Sequence, residues 1–211
     1  MKKLFIIAIL AFGFVFCGCS SEFFTAIMGS LNTPMILPSE SEAHFEKLEQ
    51  VLQQTAESCE LELKKVRSKL DEDGIIVDFE LKPDESSTIK VSLNNILLDG
   101  RTKGAERFSV SYEKSDRSTE FDIALFTAIV NSVSGRTLTD DFCVQLANDT
   151  DGTFAEISTN GAPGWMHKFK TLDKYGNWSL SEDLLMYESQ LDSAENDYTE
   201  LLYFDGLTRA F

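Results

Sequence analysis

The stretch Ile75-Ile76-Val77-Asp78-Phe79-Glu80-Leu81 decides the fold class. Ile75, Val77, Phe79 and Leu81 share one side of an extended chain, and from Asp78 onward the other side is polar. A period of two with one apolar face marks a strand buried on one side and wet on the other, as in antiparallel sheets. The alternation returns in Ile89, Val91 and Leu93, separated by Lys90 and Ser92, and in Phe108, Val110 and Tyr112, separated by Ser109 and Ser111. Pro83-Asp84-Glu85-Ser86 and the segment from Asp99-Gly100 to Lys103-Gly104 supply turn chemistry between these strands.

Upstream, Ser39 and Glu42 have the Ser-x-x-Glu spacing of a capping box. Phe45, Leu48, Leu52, Ala56, Cys59, Leu63, Val66 and Leu70 follow at gaps of three and four. That spacing predicts one helix of about 30 residues, about 45 Å long, closed by Asp71-Glu72-Asp73-Gly74 with Gly74 in a left-handed C-terminal position. Downstream, Thr119 to Val133 reads as a second helix, with Thr119 and Asp122 as a capping pair and Gly135 as its stop. Its apolar residues cover nearly every side, which predicts burial on most faces.

Strands are expected again at Phe142-x-Val144-x-Leu146, at Phe154 to Ile157, at Trp165-x-His167-x-Phe169 and at Tyr198 to Phe204, the last closed by Asp205-Gly206. Asn148 to Gly152 and Asn160 to Gly164 are the turns between them. The stretch 180–192 fits either a helix, through Leu180, Leu184, Tyr187 and Leu191, or a strand at Leu184 to Tyr187. The predicted architecture is α+β, a mostly antiparallel sheet packed by two main helices in the order helix-βββ-helix-βββ. Two similar helix-plus-meander units would also produce this order, although the halves share no sequence repeat.

The chain has 211 residues, 19 Lys and Arg, 35 Asp and Glu, and a formal net charge of −16. Its apolar fraction of 43% belongs to a globular protein. The acid excess argues against nucleic acid, whose phosphates attract Lys and Arg, and against electrostatic docking on anionic lipid.

The first residues carry an export signal. Lys2 and Lys3 form a positive start, Leu4 to Phe16 is an unbroken run of apolar residues and glycine, and Cys17-Gly18-Cys19-Ser20-Ser21 follows. The apolar run is shorter than the roughly 20 residues a membrane span needs, so a cleaved signal is expected rather than an uncleaved anchor. Gly18-Cys19 resembles the lipobox of bacterial lipoproteins. In that family a small residue precedes a cysteine that receives a diacylglyceryl group and becomes the mature N-terminus. Phe16 and Cys17 depart from the usual Leu and small-residue pattern. Cys17 is the other acceptor, but bulky Phe16 would then stand at the cut. The resemblance implies lipidation at Cys19, anchorage to a bacterial envelope membrane and a folded part outside the cytoplasm. Two acyl chains on one cysteine make such anchoring stable. Loss of residues 1–18 would leave 193 residues with a charge of −18.

The expected organisation is therefore a signal at 1–18, a lipidated N-terminus and tether at 19–41, and one α+β domain at 42–211. The tether holds Gly29, Pro34 and Pro38, and its Phe23, Phe24, Ile27 and Met28 suit contact with either the bilayer surface or the domain.

Nothing in the chain carries a specific catalytic or cofactor motif. In a calcium loop with Gly152 sixth, Asp149 and Asp151 fill positions three and five, but Ala147 and Ser158 stand where the first ligand and the closing Glu belong. A hairpin turn is the better reading of that segment. Ser87/Lys90 and Ser111/Lys114 have Ser-x-x-Lys spacing, which places the two together on a helix but on opposite faces of a strand. Asp140 and Asp141 are expected in a turn. His44 is expected in the first turn of a solvated helix and His167 on a strand face with Trp165 and Phe169; two separated histidines make no zinc site. No metal or cofactor is expected. Cys59 and Cys143 are open to a disulfide in an exported protein, or to packing as free thiols. Trp165, Tyr175 and Trp178 sit near turns, where large rigid rings serve recognition or cap the core.

The function these residues point to is a membrane-anchored envelope lipoprotein acting as a non-enzymatic binding or structural module, with an unidentified protein or small molecule as partner. A lipid-anchored hydrolase using Asp or Glu, and a carrier of an apolar ligand suggested by twelve phenylalanines in the mature chain, are the alternatives.

Overall fold

The computed structural model describes residues 35–97, 100–116, 118–134, 137–147, 155–156, 164–172, 178–192 and 197–209. The chain divides into two compact units, Met1–Thr33 with Lys170–Ser181, and Pro34–Phe169 with Glu182–Phe211. Only the strand residues 170–172 and 178–181 of the first are described, and the second holds the fold. Its elements are β1 (Met35–Ile36), α1 (Pro38–Ser58), β2 (Lys64–Asp71), β3 (Gly74–Leu81), β4 (Ser87–Ile96), β5 (Gly104–Ala105), β6 (Arg107–Lys114), α2 (Ile123–Val133), α3 (Asp140–Ala147), β7 (Ala155–Glu156), β8 (Gly164–Leu172), β9 (Trp178–Asp192) and β10 (Asp197–Leu207). Parts of β8 and β9 belong to the first unit.

The architecture is α+β. Strands β2-β3-β4-β6-β10-β9 pair antiparallel throughout, and the sheet order continues to β8 and β7. One meander thus runs β2-β3-β4-β6 and a second runs β7-β8-β9-β10 in the reverse spatial order. They meet where β10 pairs with β6, from Glu200 opposite Lys114 to Leu207 opposite Arg107. Each meander is preceded by helix, α1 for the first, α2 and α3 for the second.

Both main helices cover one face of the sheet. On α1, Ser41, Phe45, Leu48, Leu52 and Ala56 repeat at three- and four-residue gaps and are all buried. They pack on β3, β4 and α2, and α2 packs on β6. From the sheet, Ile75, Val77, Phe79, Leu81, Ile89, Val91, Leu93, Phe108, Val110 and Tyr112 face them, all buried. The alternation read from the sequence is therefore the two sides of β3, β4 and β6. The other face is polar and carries Asp78 bonded by the Ser92 hydroxyl at 2.7 Å, Lys90 on both oxygens of Glu113, and Arg107 on Asp205 at 3.2 Å.

The start of α1 lies earlier than the capping-box spacing implies. Leu37 is the N-cap, Pro38 fills the first helical turn, where its missing N–H costs nothing, and Glu40 accepts the Leu37 N–H at 3.0 Å. Residues 35–41 therefore belong to the fold rather than to a tether. Asn95 secures this entry. Its side-chain amide donates to Ser41 Oγ at 2.8 Å and to the Ile36 carbonyl at 3.2 Å, beside the short pairing of β1 with β5. A Cβ on Gly104 would stand 2.0 Å from Asn95 Oδ1, so only glycine fits there.

The largest departure from expectation is the end of α1. The helix stops at Ser58, and Leu63, Val66 and Leu70 do not continue its stripe. Leu61 N–H bonds the Ala56 carbonyl at 2.9 Å and Glu60 N–H bonds that of Glu57 at 3.0 Å. This is the Schellman pattern, with Glu60 at φ 60° in the left-handed position that glycine usually takes. The chain then returns as β2, every residue of which is exposed. Glu72 and Asp73 turn β2 into β3, and Gly74, at φ 133°, sits where a Cβ would meet the Asn95 carbonyl at 2.3 Å.

Two further readings change, and one open alternative is decided. Helix α2 begins at Ile123, with Asp122 as N-cap accepting the Leu125 N–H at 2.9 Å, four residues after Thr119. Residues 140–147 form α3 instead of a strand, and Asp140 and Asp141 open that helix rather than a turn. Asn131 holds the bend between the two helices by bonding both the N–H and the carbonyl of Leu138. The ambiguous stretch 180–192 is strand, within β9.

Leu48→Ala should lower stability by about 2–5 kcal/mol, because its side chain is fully buried. Val66→Ala and Leu70→Ala should each cost under about 1 kcal/mol, since both are half exposed. Denaturant unfolding of the three variants checks this, and a large loss at Val66 would restore the long helix. Glu60→Gly should raise stability by about 1 kcal/mol by relieving the positive φ, read as a higher melting temperature.

Candidate functional site

Cys19 and Tyr175 lie outside the described residues, as does the turn from Asn148 to Gly152. Trp165 stands on β8 opposite Glu156 of β7, and Trp178 is the first residue of β9, so a strand and not a loop carries it. Cys59 is the C-cap residue of α1 and exposed, rather than on the buried stripe; Cys143 is buried on α3. Both are free thiols, and no bridge joins them. Burial, reinforced by the Asp140 carboxylate, pushes the Cys143 thiol up to about 12.

The residues that the fold does bring together come from outside that set. His44 of α1 is not on a solvated face. Its Nδ1 contacts Oε2 of Glu106, from the segment between β5 and β6, and both side chains are mostly buried, at 17% and 11% exposure. Thr208, just past β10, donates its hydroxyl to the same Glu106 oxygen at 3.3 Å, and its N–H bonds the Glu106 carbonyl at 3.3 Å. Ser134, after α2, forms a bridge with Thr208, and Arg209 N–H bonds the Val133 carbonyl at 2.8 Å. One carboxylate therefore joins α1 and both central strands, next to a segment bonded to the end of α2.

The order of the groups sets the chemistry. A hydroxyl is activated when an imidazole lies between it and a carboxylate. Here the carboxylate lies between the imidazole and the hydroxyl, so the Thr208 proton is directed at Glu106 and not at His44. The arrangement holds three segments in place and does not have the hydroxyl–imidazole–carboxylate order.

A second cluster lies at the opposite end of the same face. Ser87, Lys114 and Glu200 are successive register partners across β4, β6 and β10. Lys114 Nζ reaches Glu200 Oε2 at 2.5 Å and the Thr119 carbonyl, and lies 4.8 Å from the Phe121 ring centroid. Tyr187 of β9 donates to Glu200 Oε1 at 3.1 Å. Phe121 meets Tyr112 and Tyr187 edge-on, and the Tyr112 hydroxyl takes the Asp122 N–H at 3.4 Å. Burial raises the Tyr112 phenol above its ordinary value. The ammonium is held by a carboxylate, a carbonyl and a ring face. A lysine held in this way pins two strands to a helix entry.

Among the described residues no group of three or more His, Cys, Asp or Glu side chains is placed to hold a metal ion, and no helix is long and apolar enough to cross a membrane. An open depression lies on the solvent side of α1, lined by Glu46, Glu49, Gln50, Gln53, Gln54 and Glu57. No family model, curated protein or solved structure matches the chain.

Sequence reasoning missed both clusters because their partners are far apart, 62 residues for His44 and Glu106 and 86 for Lys114 and Glu200. The available signal was a polar residue closing an alternating apolar face, as Lys114 closes Phe108, Val110 and Tyr112.

Alkylation of the native chain at about pH 8, followed by peptide mapping, should label Cys59 and spare Cys143 until the chain unfolds. The Cys143 value is raised on folding, so its stabilising contribution is complete below 9.0 and disappears as pH climbs toward about 12. Cys143→Ala should therefore flatten the alkaline fall in melting temperature, and an unchanged slope would contradict the burial.

Proposed function

We propose that the protein is a lipid-anchored module of a bacterial cell envelope that binds or supports a partner without catalysing a reaction. One observation carries this reading: the Lys2-Lys3 start, the apolar run from Leu4 to Phe16 and the Gly18-Cys19 pair stand together in the order of a lipoprotein signal. Acyl chains on Cys19 would supply the membrane attachment, each buried CH₂ contributing about 0.8 kcal/mol.

The fold is compatible with that role. Its entry at β1 and α1 is secured by Asn95, so a pull on the N-terminal segment meets hydrogen bonds to β4 rather than a frayed helix. The filled contact between α1, α2 and the sheet, where Phe45, Leu48, Leu52, Phe126, Ile129 and Val130 are at most 2% exposed, weighs against a carrier for an apolar ligand. The central carboxylate of His44, Glu106 and Thr208 and the committed ammonium of Lys114 lend no support to a hydrolase among the described residues.

Mass spectrometry of the protein from native membranes tests the reading. The expected N-terminus is Cys19 carrying a diacylglyceryl group, and Cys19→Ala should leave the protein in the soluble fraction. A retained Met1, or an unmodified Cys19 on membrane-bound protein, would overturn it.

A further inference from the structure

Strand β2 is the outermost strand at one end of the sheet order, paired to β3 on one side only among the described residues. All eight of its residues are exposed. Its outer row of N–H and C=O groups is therefore open to another strand.

The side chains on that edge are not neutral. Lys64, Lys65, Arg67 and Lys69 against Asp71 give β2 a net charge of +3, in a chain whose total is −16. The register sorts these charges by face. Val66 is the extra residue of a bulge between Lys65 and Arg67, and so Lys64, Arg67 and Lys69 stand opposite Glu80, Asp78 and Ile76 on the polar face. Lys65, Ser68 and Leu70 stand opposite Phe79, Val77 and Ile75 on the helix-covered face. Val66 and Leu70 are 51% and 46% exposed. The intrachain ion pairs have exposed basic partners and partly exposed carboxylates: Lys65 with Glu49 at 2.5 Å, Arg67 with Asp78 at 3.7 Å, and Lys69 with Asp71. Pairs of that kind contribute little and exchange readily.

We propose that β2 is a docking edge for an extended acidic segment of a partner protein, which adds as a further antiparallel strand. The segment alternates carboxylates with apolar residues. Its carboxylates lie on the polar face against Lys64, Arg67 and Lys69, and its apolar side chains lie on the other face beside Leu70. Main-chain bonds supply the attachment and the charges select the partner. A second copy of the chain is the wrong occupant, because two antiparallel β2 strands would set lysines and arginine against one another, and like charges opposite each other destabilise a strand pair. A lipid surface would use the charges but not the backbone row. The inference deepens the reading as a binding module, yet it is independent of the anchor, since docking is measured whether or not Cys19 is acylated.

The test uses the full chain in nonionic detergent and a blocked, fluorescent peptide of alternating Glu and Val, roughly eight residues long to match a strand. Binding is read by anisotropy, and backbone amide exchange is followed in β2. The expected results are saturable binding, slowed exchange at the outward amides of β2, and an affinity about tenfold weaker in high salt than in low salt. Replacing Lys64, Arg67 and Lys69 together by Gln should weaken binding at least about tenfold, with a nearly unchanged melting profile because all three are exposed and their ion pairs contribute little. A peptide methylated on alternate backbone nitrogens should not bind.

Four results would overturn the proposal. One is equal binding of the methylated peptide, and another is equal binding of a Lys–Val peptide. A third is attachment to anionic phospholipid vesicles with no peptide binding. The last is outward amides of β2 already protected in the free chain, which would assign the edge to another segment of the same chain, or to a second copy if the protection grows with concentration.

Discussion

The structure depends on the pairing of β6 with β10. These strands lie about 90 residues apart in sequence, and their ladder is the only junction between the two meanders among the described residues. On its core face Phe108 and Phe204 stack at 5.5 Å with rings 13° from parallel, and Tyr112 stands opposite Leu202. At one end Lys114 closes on Glu200; at the other, Glu106 and Thr208 bond through both main chain and side chain. Lys114 meets Glu200 and the Thr119 carbonyl, whereas Glu106 uses Oε2 for both His44 and Thr208 and leaves its buried Oε1 without a hydrogen bond. Chemistry-bearing residues are thus concentrated at the ends of the central ladder, where they fasten helices to it.

This reframes what a histidine–carboxylate contact or a buried lysine means here. Each has the composition of a catalytic group, but composition does not determine role. In the first, the carboxylate is the shared acceptor. In the second, the ammonium is met by opposite charge, a carbonyl and a ring face. Both arrangements hold side chains from distant segments in one geometry.

The fold class was legible in the sequence because β3, β4 and β6 are each wet on one side, so their alternation is a direct record of burial. The α1 stripe from Phe45 to Ala56 was legible for the same reason. Its end was not. The Schellman turn uses Glu60 in place of glycine, and β2 is exposed on both faces, so no burial pattern opposed the helical spacing of Leu63, Val66 and Leu70. At α3 the apolar residues at 142, 144 and 146 imitate a strand, while Cys143 is buried and Val144 is exposed. The polar clusters were hidden for a different reason: Glu106 and Glu200 are two among 35 acids, and only the register of distant strands singles them out. The lipobox-like segment is legible without any fold, since its signal is local.

The central place of β10 has a consequence for biogenesis. A ribosome makes β2, β3, β4 and β6 first, then α2, α3 and the outer strands of the second meander, and only then the strand that sits mid-sheet. Until it arrives, the inner margin of β6 is a vacant hydrogen-bonding seam beside Phe108 and Tyr112, and the nascent molecule is a half-sheet with its sticky side showing. Under the proposed export the chain would cross a membrane before compaction, and late arrival of the keystone strand would keep the polypeptide threadable until β10 is made.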